Sequence, residues 1–342
     1  MESQHKHWLP IFLLVLLIAL AGWYYSQNPP VTASATEQPV TVLELAGPAA
    51  DRDAEFSGLA WHGETLILLP QYPERFGDGD GALFALSKAD ILAAVDGTLQ
   101  TPLEPVTVHL NAPGLKESIP YFQGYESIVF NGDQVFLTIE AGEGTDMHGY
   151  LVTGKISADE SEITLSTNNV VEIPLAFPSE NHADEAILIE GDSVLTFFEI
   201  NGVDLNSAPA AHVFDFGLNP QGTISFPNIE YRVTDAAADS GNNFWVINYF
   251  FPGDTDLATN HDPLIEKYGV GPSHTQHPQI ERLVEMTYSP EGITLTDTAP
   301  IQLELESDDA RNLEGLVLLD DKGFLLVTDK YPSTLFMFVE KP

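Results

Sequence analysis

The sequence predicts an all-β chain, a five-bladed β-propeller behind one apolar N-terminal segment. Three observations lead there. From residue 40 onward short β-rich runs alternate with Gly, Asn, Asp and Pro, as expected of many short strands joined by turns. Five hairpins start on one pattern, an oxygen-bearing residue, a small one and then mostly apolar positions, and such self-similarity marks a repeat architecture. Two further strand-like runs follow nearly every hairpin, which makes the unit a four-stranded blade.

Composition bounds the rest. The 342 residues are 44% hydrophobic and 19% charged, enough apolar material for a packed core. Against 51 Asp and Glu stand 13 Lys and Arg, a net charge of −38, which repels a phosphate backbone and excludes nucleic acid as a partner. The absence of cysteine removes disulfides, thiolate metal sites and Cys nucleophiles. Any metal is therefore held by oxygen or imidazole.

Residues 8–25 are an apolar run broken only by Pro10 and Gly22, with Lys6 before it and Trp8, Trp23, Tyr24 and Tyr25 at its ends. This fits a short membrane span with interfacial aromatics. Residues 1–25 are expected to form a signal anchor or transmembrane helix, 26–39 a linker and 40–342 the propeller. Ala19-Leu20-Ala21 and Ala33-Ser34-Ala35 have the small-x-small form of a cleavage site, so removal of the segment is a second outcome. Either way the domain is expected at the cell envelope outside the cytoplasm, periplasmic or extracellular, and monomeric.

The first unit starts at Phe56-Ser57-Gly58, turns at His62-Gly63-Glu64 and returns over 66–69; Gly beside an acidic or amide residue is a hairpin signal. Its outer strands are expected at 83–86 and 105–110, with a helix over 88–95 capped by Ser87. The second unit starts at Tyr125-Glu126-Ser127, the third at Asp184-Glu185-Ala186, the fourth at Thr234-Asp235-Ala236 and the fifth at Leu313-Glu314-Gly315. Outer strands are expected at 150–156 and 163–173, at 211–216 and 223–233, and at 283–288 and 293–305. The fifth unit supplies only one, at 334–339, so 40–45 is expected to complete it and close the ring. A six-bladed propeller and a β-sandwich are the alternatives; the long interval between the fourth and fifth units lacks strands for another blade.

In a propeller the first strand of each blade lines the channel and the second runs back beside it. Ser57, Glu126, Glu185, Asp235 and Glu314 should then ring one mouth, with Gln71, Glu140, Glu199, Asn248 and Asp329 as a second row. Seven of these ten are carboxylates, and carboxylates held close raise one another's pKa unless a cation relieves them. Oxygen ligands favour Ca²⁺. Solvated acids around a wet channel are the alternative, and strand-end capping suits Gln71 and Asn248.

Near this mouth the sequence places four cations, Arg75, Lys116, Arg311 and Lys330; Arg311 and Lys330 could meet an anion. The long segment 251–280 carries His261, His274 and His277 and reads as an insertion with surface histidines. There is no G-x-S-x-G, H-E-x-x-H, P-loop or G-x-G-x-x-G, which weighs against serine hydrolase, zincin and nucleotide-fold readings.

Ser57-Gly58-Leu59-Ala60, Tyr125-Glu126-Ser127-Ile128 and Asn312-Leu313-Glu314-Gly315-Leu316 with the return strand to Asp329 resemble secreted β-propellers of the phytase-like (esterase-like) family. The five-fold count and the ring of Glu are similar to calcium-activated apyrases. The resemblance implies a central Ca²⁺ held by Glu126, Glu185 and Glu314, with Ser57 and Asp235 completing its shell. Enzymes that act on polyphosphates surround the metal with Lys and Arg, and this chain has few.

Two functions follow as expectations. One is an exported Ca²⁺-dependent hydrolase of a phosphoester, phosphoanhydride or lactone-like substrate. The other is a non-catalytic propeller that binds a small molecule or protein at the channel mouth, with structural calcium.

Overall fold

The structure, a computed structural model, describes residues 35–99 and 102–342. The expected anchor at 8–25 and the larger part of the linker lie outside the described residues. Among the described residues no helix is long and apolar enough to cross a membrane.

The architecture is all-β. Two short strands, β1 (Glu37–Gln38) and β2 (Val40–Val42), open it. The first meander holds β3 (Phe56–His62), β4 (Thr65–Pro70), β5 (Ala82–Ser87) and β6 (Val106–Asn111). The second holds β7 (Phe122–Asn131), β8 (Gln134–Glu143), β9 (Asp146–Ile156) and β10 (Glu162–Ile173). The third runs through β11 (Asp184–Glu190), β12 (Ser193–Phe198), β13 (Ala210–Asp215) and β14 (Pro220–Ser225). The fourth has β15 (Arg232–Ala238), β16 (Asn243–Phe250), β17 (Ile280–Ser289), β18 (Gly292–Leu295) and β19 (Ile301–Leu303). The last has β20 (Leu313–Leu319), β21 (Gly323–Thr328) and β22 (Phe336–Glu340). β2 pairs antiparallel with β22 and completes it.

Local chemistry sets the hairpins. Gly63, Gly132 and Gly191 have φ of +57°, +57° and +58° in their tight turns, a conformation open to glycine at little cost. The helix Lys88–Val95 forms where expected, with Ser87 Oγ accepting from the Asp90 amide at 3.1 Å.

Alternation along each second strand then builds the core. Leu66 and Leu68 of β4 pack with Val317, Leu325 and Phe336 of the fifth meander, while Ile67 and Leu69 pack with Ile128, Val135 and Leu137 of the second. Strand side chains point to alternate faces, so one strand serves two cores. The same holds between second and third (Phe136 with Val194 and Phe214), third and fourth (Phe197 with Phe244 and Val246) and fourth and fifth (Trp245 with Phe324). Each buried Leu or Phe stabilises by about 1.5–3 kcal/mol.

The first strands of the meanders are neighbours in the order β3, β7, β11, β15, β20 and back to β3, an arrangement consistent with a propeller. A Cβ on Gly58 would lie 3.2 Å from Ser127 Cα, so the approach of β3 to β7 leaves little room for a side chain there.

Three features depart from expectation. The run at 223–233 is two elements, because β14 ends at Ser225 and β15 begins at Arg232; likewise 293–305 splits into β18 and β19. The outermost strands of the first two meanders pair in parallel, Ile163 opposite Leu110, joining them in one eight-stranded sheet. β1 pairs parallel with β19, so the N-terminal segment serves two sheets.

The segment 251–280 is pinned rather than a surface insertion. Asp262 caps the helix Pro263–Tyr268 and its other oxygen lies 2.8 Å from Arg282 Nη1. Glu37 of β1 accepts from the Ser273 and His274 amides, from Ser273 Oγ and from His274 Nδ1 at 2.7 Å. His274 is thus a buried anchor. The three histidines stay apart, since His261 faces Glu266 and His277 faces Asp308.

Candidate functional site

Each first strand is broken by a β-bulge near its start, at Ser57, Glu126, Glu185 and Glu314 and across Thr234-Asp235. A bulge re-aims the unpaired side chain. Ser57, Glu126, Glu185 and Glu314 thereby line one cavity of about 90 Å³, together with Gln71, Glu140 and Asp329 from the returning strands. Glu55, Asn181, Arg232 and Asn312 complete its wall. Glu199, fully buried, stands behind Arg232 with Oε2 3.3 Å from its Nη1.

The fourth meander corrects the expected ring. Its bulge spans two residues, and Thr234, not Asp235, makes the ring contact: Thr234 Oγ1 donates to Leu313 O at 2.5 Å, as Ser57 Oγ donates to Tyr125 O at 2.6 Å. Asp235 turns away and accepts from the Ala236 and Leu316 amides at 2.8 and 2.7 Å, bracing β15 to β20. Asn248 is likewise engaged away from the cavity. Its amide donates to Glu230 O and Arg232 O while Oδ1 accepts from Arg282 Nε at 2.7 Å, which makes it a buried tie outside the cavity.

Of the two expected anion contacts, Arg311 is engaged elsewhere and Lys330 pairs with Glu55 of the cavity wall. Arg311 gives its Nε and backbone amide to buried Glu281 and lines a different cleft. Lys330 Nζ lies 3.5 Å from Glu55 Oε1, which also accepts from Arg75. The cation at the cavity is Arg232, absent from the four the sequence placed near the mouth. A signal for it exists. Residues two before the ring position are Glu55, Gly124, Ala183, Arg232 and Asn312, and three of these five line the cavity.

Burial dominates the electrostatics. It pushes the Glu126 carboxyl up to about 7, although Gln71 Nε2 donates to it at 3.1 Å; Glu199 and Asp329 add to the rise. Glu140 is pushed up to about 9 by burial and then by Glu126 and Glu199. Glu185 and Glu314 rise well above the ordinary carboxyl range from burial and their neighbours' charges. Burial opposes the Arg232 charge, but Glu199, Glu185, Asp254 and Glu314 outweigh it and hold Arg232 protonated. Glu55 Oε2, Glu140 Oε1, Glu185 Oε2 and Glu199 Oε1 are buried without a hydrogen-bond partner.

No family model matches the chain, and no curated protein does. Solved structures do. A structure from the GH130 family of mannoside phosphorylases, containing glycoside hydrolases that target β-1,2 mannosidic linkages in Candida mannan, is 10% identical over 92% of this chain and 96% of that one, with a TM-score of 0.50. A GH43_1 enzyme from Xanthomonas citri is 10% identical over 87% and 91%, TM-score 0.46. A glucose dehydrogenase is 13% identical over 89% and 99%, TM-score 0.46. These are propeller-like glycoside hydrolase and glucose dehydrogenase folds. At such identities the likeness is one of fold, and function has to come from the site.

The cavity walls supply oxygen donors and one guanidinium. That set suits a hard cation in chemistry, and unpartnered buried carboxylate oxygens are what such a cation would satisfy. Among the described residues no three His, Cys, Asp or Glu are gathered at metal-holding spacing. Beside the cavity, sharing Arg232, Asn312 and Asp329, opens a cleft of about 610 Å³ that includes Tyr249, Phe251 and Tyr331.

Proposed function

We propose that this chain is a hydrolase on a five-bladed β-propeller, working at the carboxylate-lined mouth with Ca²⁺ as its cation. The observation that carries the reading is the convergence on one cavity of carboxyl groups whose buried oxygens lack partners. Glu126, Glu185 and Glu314 would hold the cation, with Ser57 and Asp329 at its edge. When bound, Ca²⁺ supplies Lewis acidity and lowers the pKa of water. Glu140, which is not among those ligands and is pushed up to about 9 by burial, can give a proton to a leaving group. Arg232 is taken up by Glu199 and Asp254, and Arg75 and Lys330 by Glu55, which among the described residues leaves the wall no unpaired cation for a phosphate, so neutral or cationic substrates are favoured. Esters and lactones fit that preference.

Arg232 also favours a second reading, a non-catalytic propeller in which the guanidinium is the built-in counter-charge and the adjoining aromatic cleft takes a ligand. A panel of ester, lactone, phosphoester and nucleotide substrates, with and without Ca²⁺, separates the two. Calcium-dependent turnover of an ester or lactone is expected; a flat panel with calcium still raising the melting temperature overturns the hydrolase reading. The run at 8–25 supports a membrane-held domain outside the cytoplasm, which fractionation of full-length protein tests.

A further inference from the structure

The segment leading into β11 holds a second set of reactive groups beside the carboxylates. Ser179 Oγ lies 2.6 Å from His182 Nδ1. The other ring nitrogen, Nε2, lies 3.7 Å from Glu199 Oε1, a fully buried carboxylate oxygen with no hydrogen-bond partner. Only one tautomer serves both contacts. With the proton on Nε2, Nδ1 accepts from the serine hydroxyl and the N–H faces the carboxylate. Hydroxyl, imidazole and acid in this order are the parts of a nucleophile relay.

The segment is built to hold that geometry. Phe177 packs edge-on against Phe198 with centroids 5.3 Å apart, and the Glu199 amide donates to Ala183 O at 3.1 Å. Those two contacts tie the segment to the strand end that carries Glu199. Between serine and histidine, Asn181 has φ +55° and lines the central cavity, which places the relay at the cavity rim. Ser179 and His182 are both partly open, not buried. Arg232 on the second oxygen of Glu199 fixes the carboxylate's orientation. Contacts of this type are often loose without substrate and tighten in the reacting complex.

We propose that Ser179 is a catalytic nucleophile, with His182 as its base and Glu199 as the positioning acid, and that it cleaves neutral or cationic carboxylic esters. This rests on the hydrolase reading but not on the cation. Ser179 Oγ bonds to the acyl carbon as its proton passes to His182 Nδ1. The ester C–O bond breaks and His182 returns that proton to the departing alkoxide, releasing the alcohol. Water then attacks the acyl-serine and gives its proton to His182, which returns it to Ser179 Oγ as the acyl–Oγ bond breaks, leaving a carboxylic acid and restored Ser179. No G-x-S-x-G surrounds the serine, and its acid comes from the end of β12, about 20 residues on.

The test uses the full chain with p-nitrophenyl acetate and a fluorophosphonate probe. Peptide mass spectrometry should place the adduct on Ser179, and S179A and H182A should lose it along with roughly a thousandfold or more of kcat/KM. E199Q should lower kcat with KM little changed. Circular dichroism of S179A and H182A confirms that they fold. Hydrolysis retained within about threefold in a folded S179A, an adduct elsewhere, or neither turnover nor adduct, overturns the relay. Chelation separates it from calcium. Turnover lost in S179A but indifferent to chelation supports the relay and removes the cation from the reaction, whereas turnover that needs Ca²⁺ and survives S179A overturns the relay and leaves the calcium reading standing.

Discussion

Arg232 Nη1 lies 3.3 Å from Glu199 Oε2, and Arg232 Nε lies 3.0 Å from Asp254 Oδ2. One guanidinium thus joins the wall of the cavity to the segment after β16. Removing one partner of a buried ion pair leaves an uncompensated charge, at a cost of about 3–5 kcal/mol. Arg232→Met should therefore lower stability by that order in urea unfolding at neutral pH, and added Ca²⁺ should recover part of it. An unchanged midpoint would show that Arg232 is not the counter-charge of the cavity.

Stability should fall with rising pH. Glu126 and Glu140 have folded values of about 7 and about 9 against an ordinary 4.5. Between 4.5 and those values the native state binds more protons than the unfolded one, so the slope of stability with pH is negative. A loss on the order of 3 kcal/mol is expected across the window for a shift the size of that on Glu126. Urea titrations at several pH values without divalent ions measure it, and calcium should stabilise more at the alkaline end. A rise in stability over the window would contradict the assignment.

Glu126→Gln, Glu185→Gln and Glu314→Gln should each weaken calcium binding by about tenfold or more, and by comparable factors, because each removes a charged ligand of one site. Without calcium the same changes relieve repulsion and should leave the melting temperature equal or higher. Calorimetric titration beside exposed Glu64→Gln as control reads the first, thermal melting the second. Undiminished binding in all three ends the central-cation reading.

Asp235 should behave as a brace. Asn in its place can accept only one of the two amides at 2.8 and 2.7 Å, so Asp235→Asn should cost about 1–3 kcal/mol with calcium affinity unchanged. A fall in affinity would return Asp235 to the ligand set.

Truncation tests closure. Deleting residues 1–46 removes β1, β2 and the Glu37 carboxylate that holds Ser273 and His274, whereas deleting 1–36 removes none of them. The longer deletion should melt lower by roughly 5 °C or more. Equal melting temperatures would refute a ring closed by β2.

The sequence by itself determined that the chain is all-β, where the hairpins turn, which strand returns to complete the last meander, and that acids cluster near one end of the first strands. These are local or periodic properties: a Gly at positive φ, alternation at period two, and a repeat that carries its oxygen-bearing residues with it. Asp235, Asn248 and Arg232 were decided only by tertiary structure. The bulge of β15 leaves both Thr234 and Asp235 unpaired where the bulges of the other first strands leave one residue, and a bulge re-aims the side chains it leaves unpaired. Thr234 accordingly makes the ring contact and Asp235 ties β15 to β20, while Asn248 holds Arg282 and Arg232 lines the cavity. The Ser179, His182 and Glu199 set was equally hidden, because its members meet through the packing of Phe177 on Phe198 and not through any spacing along the chain.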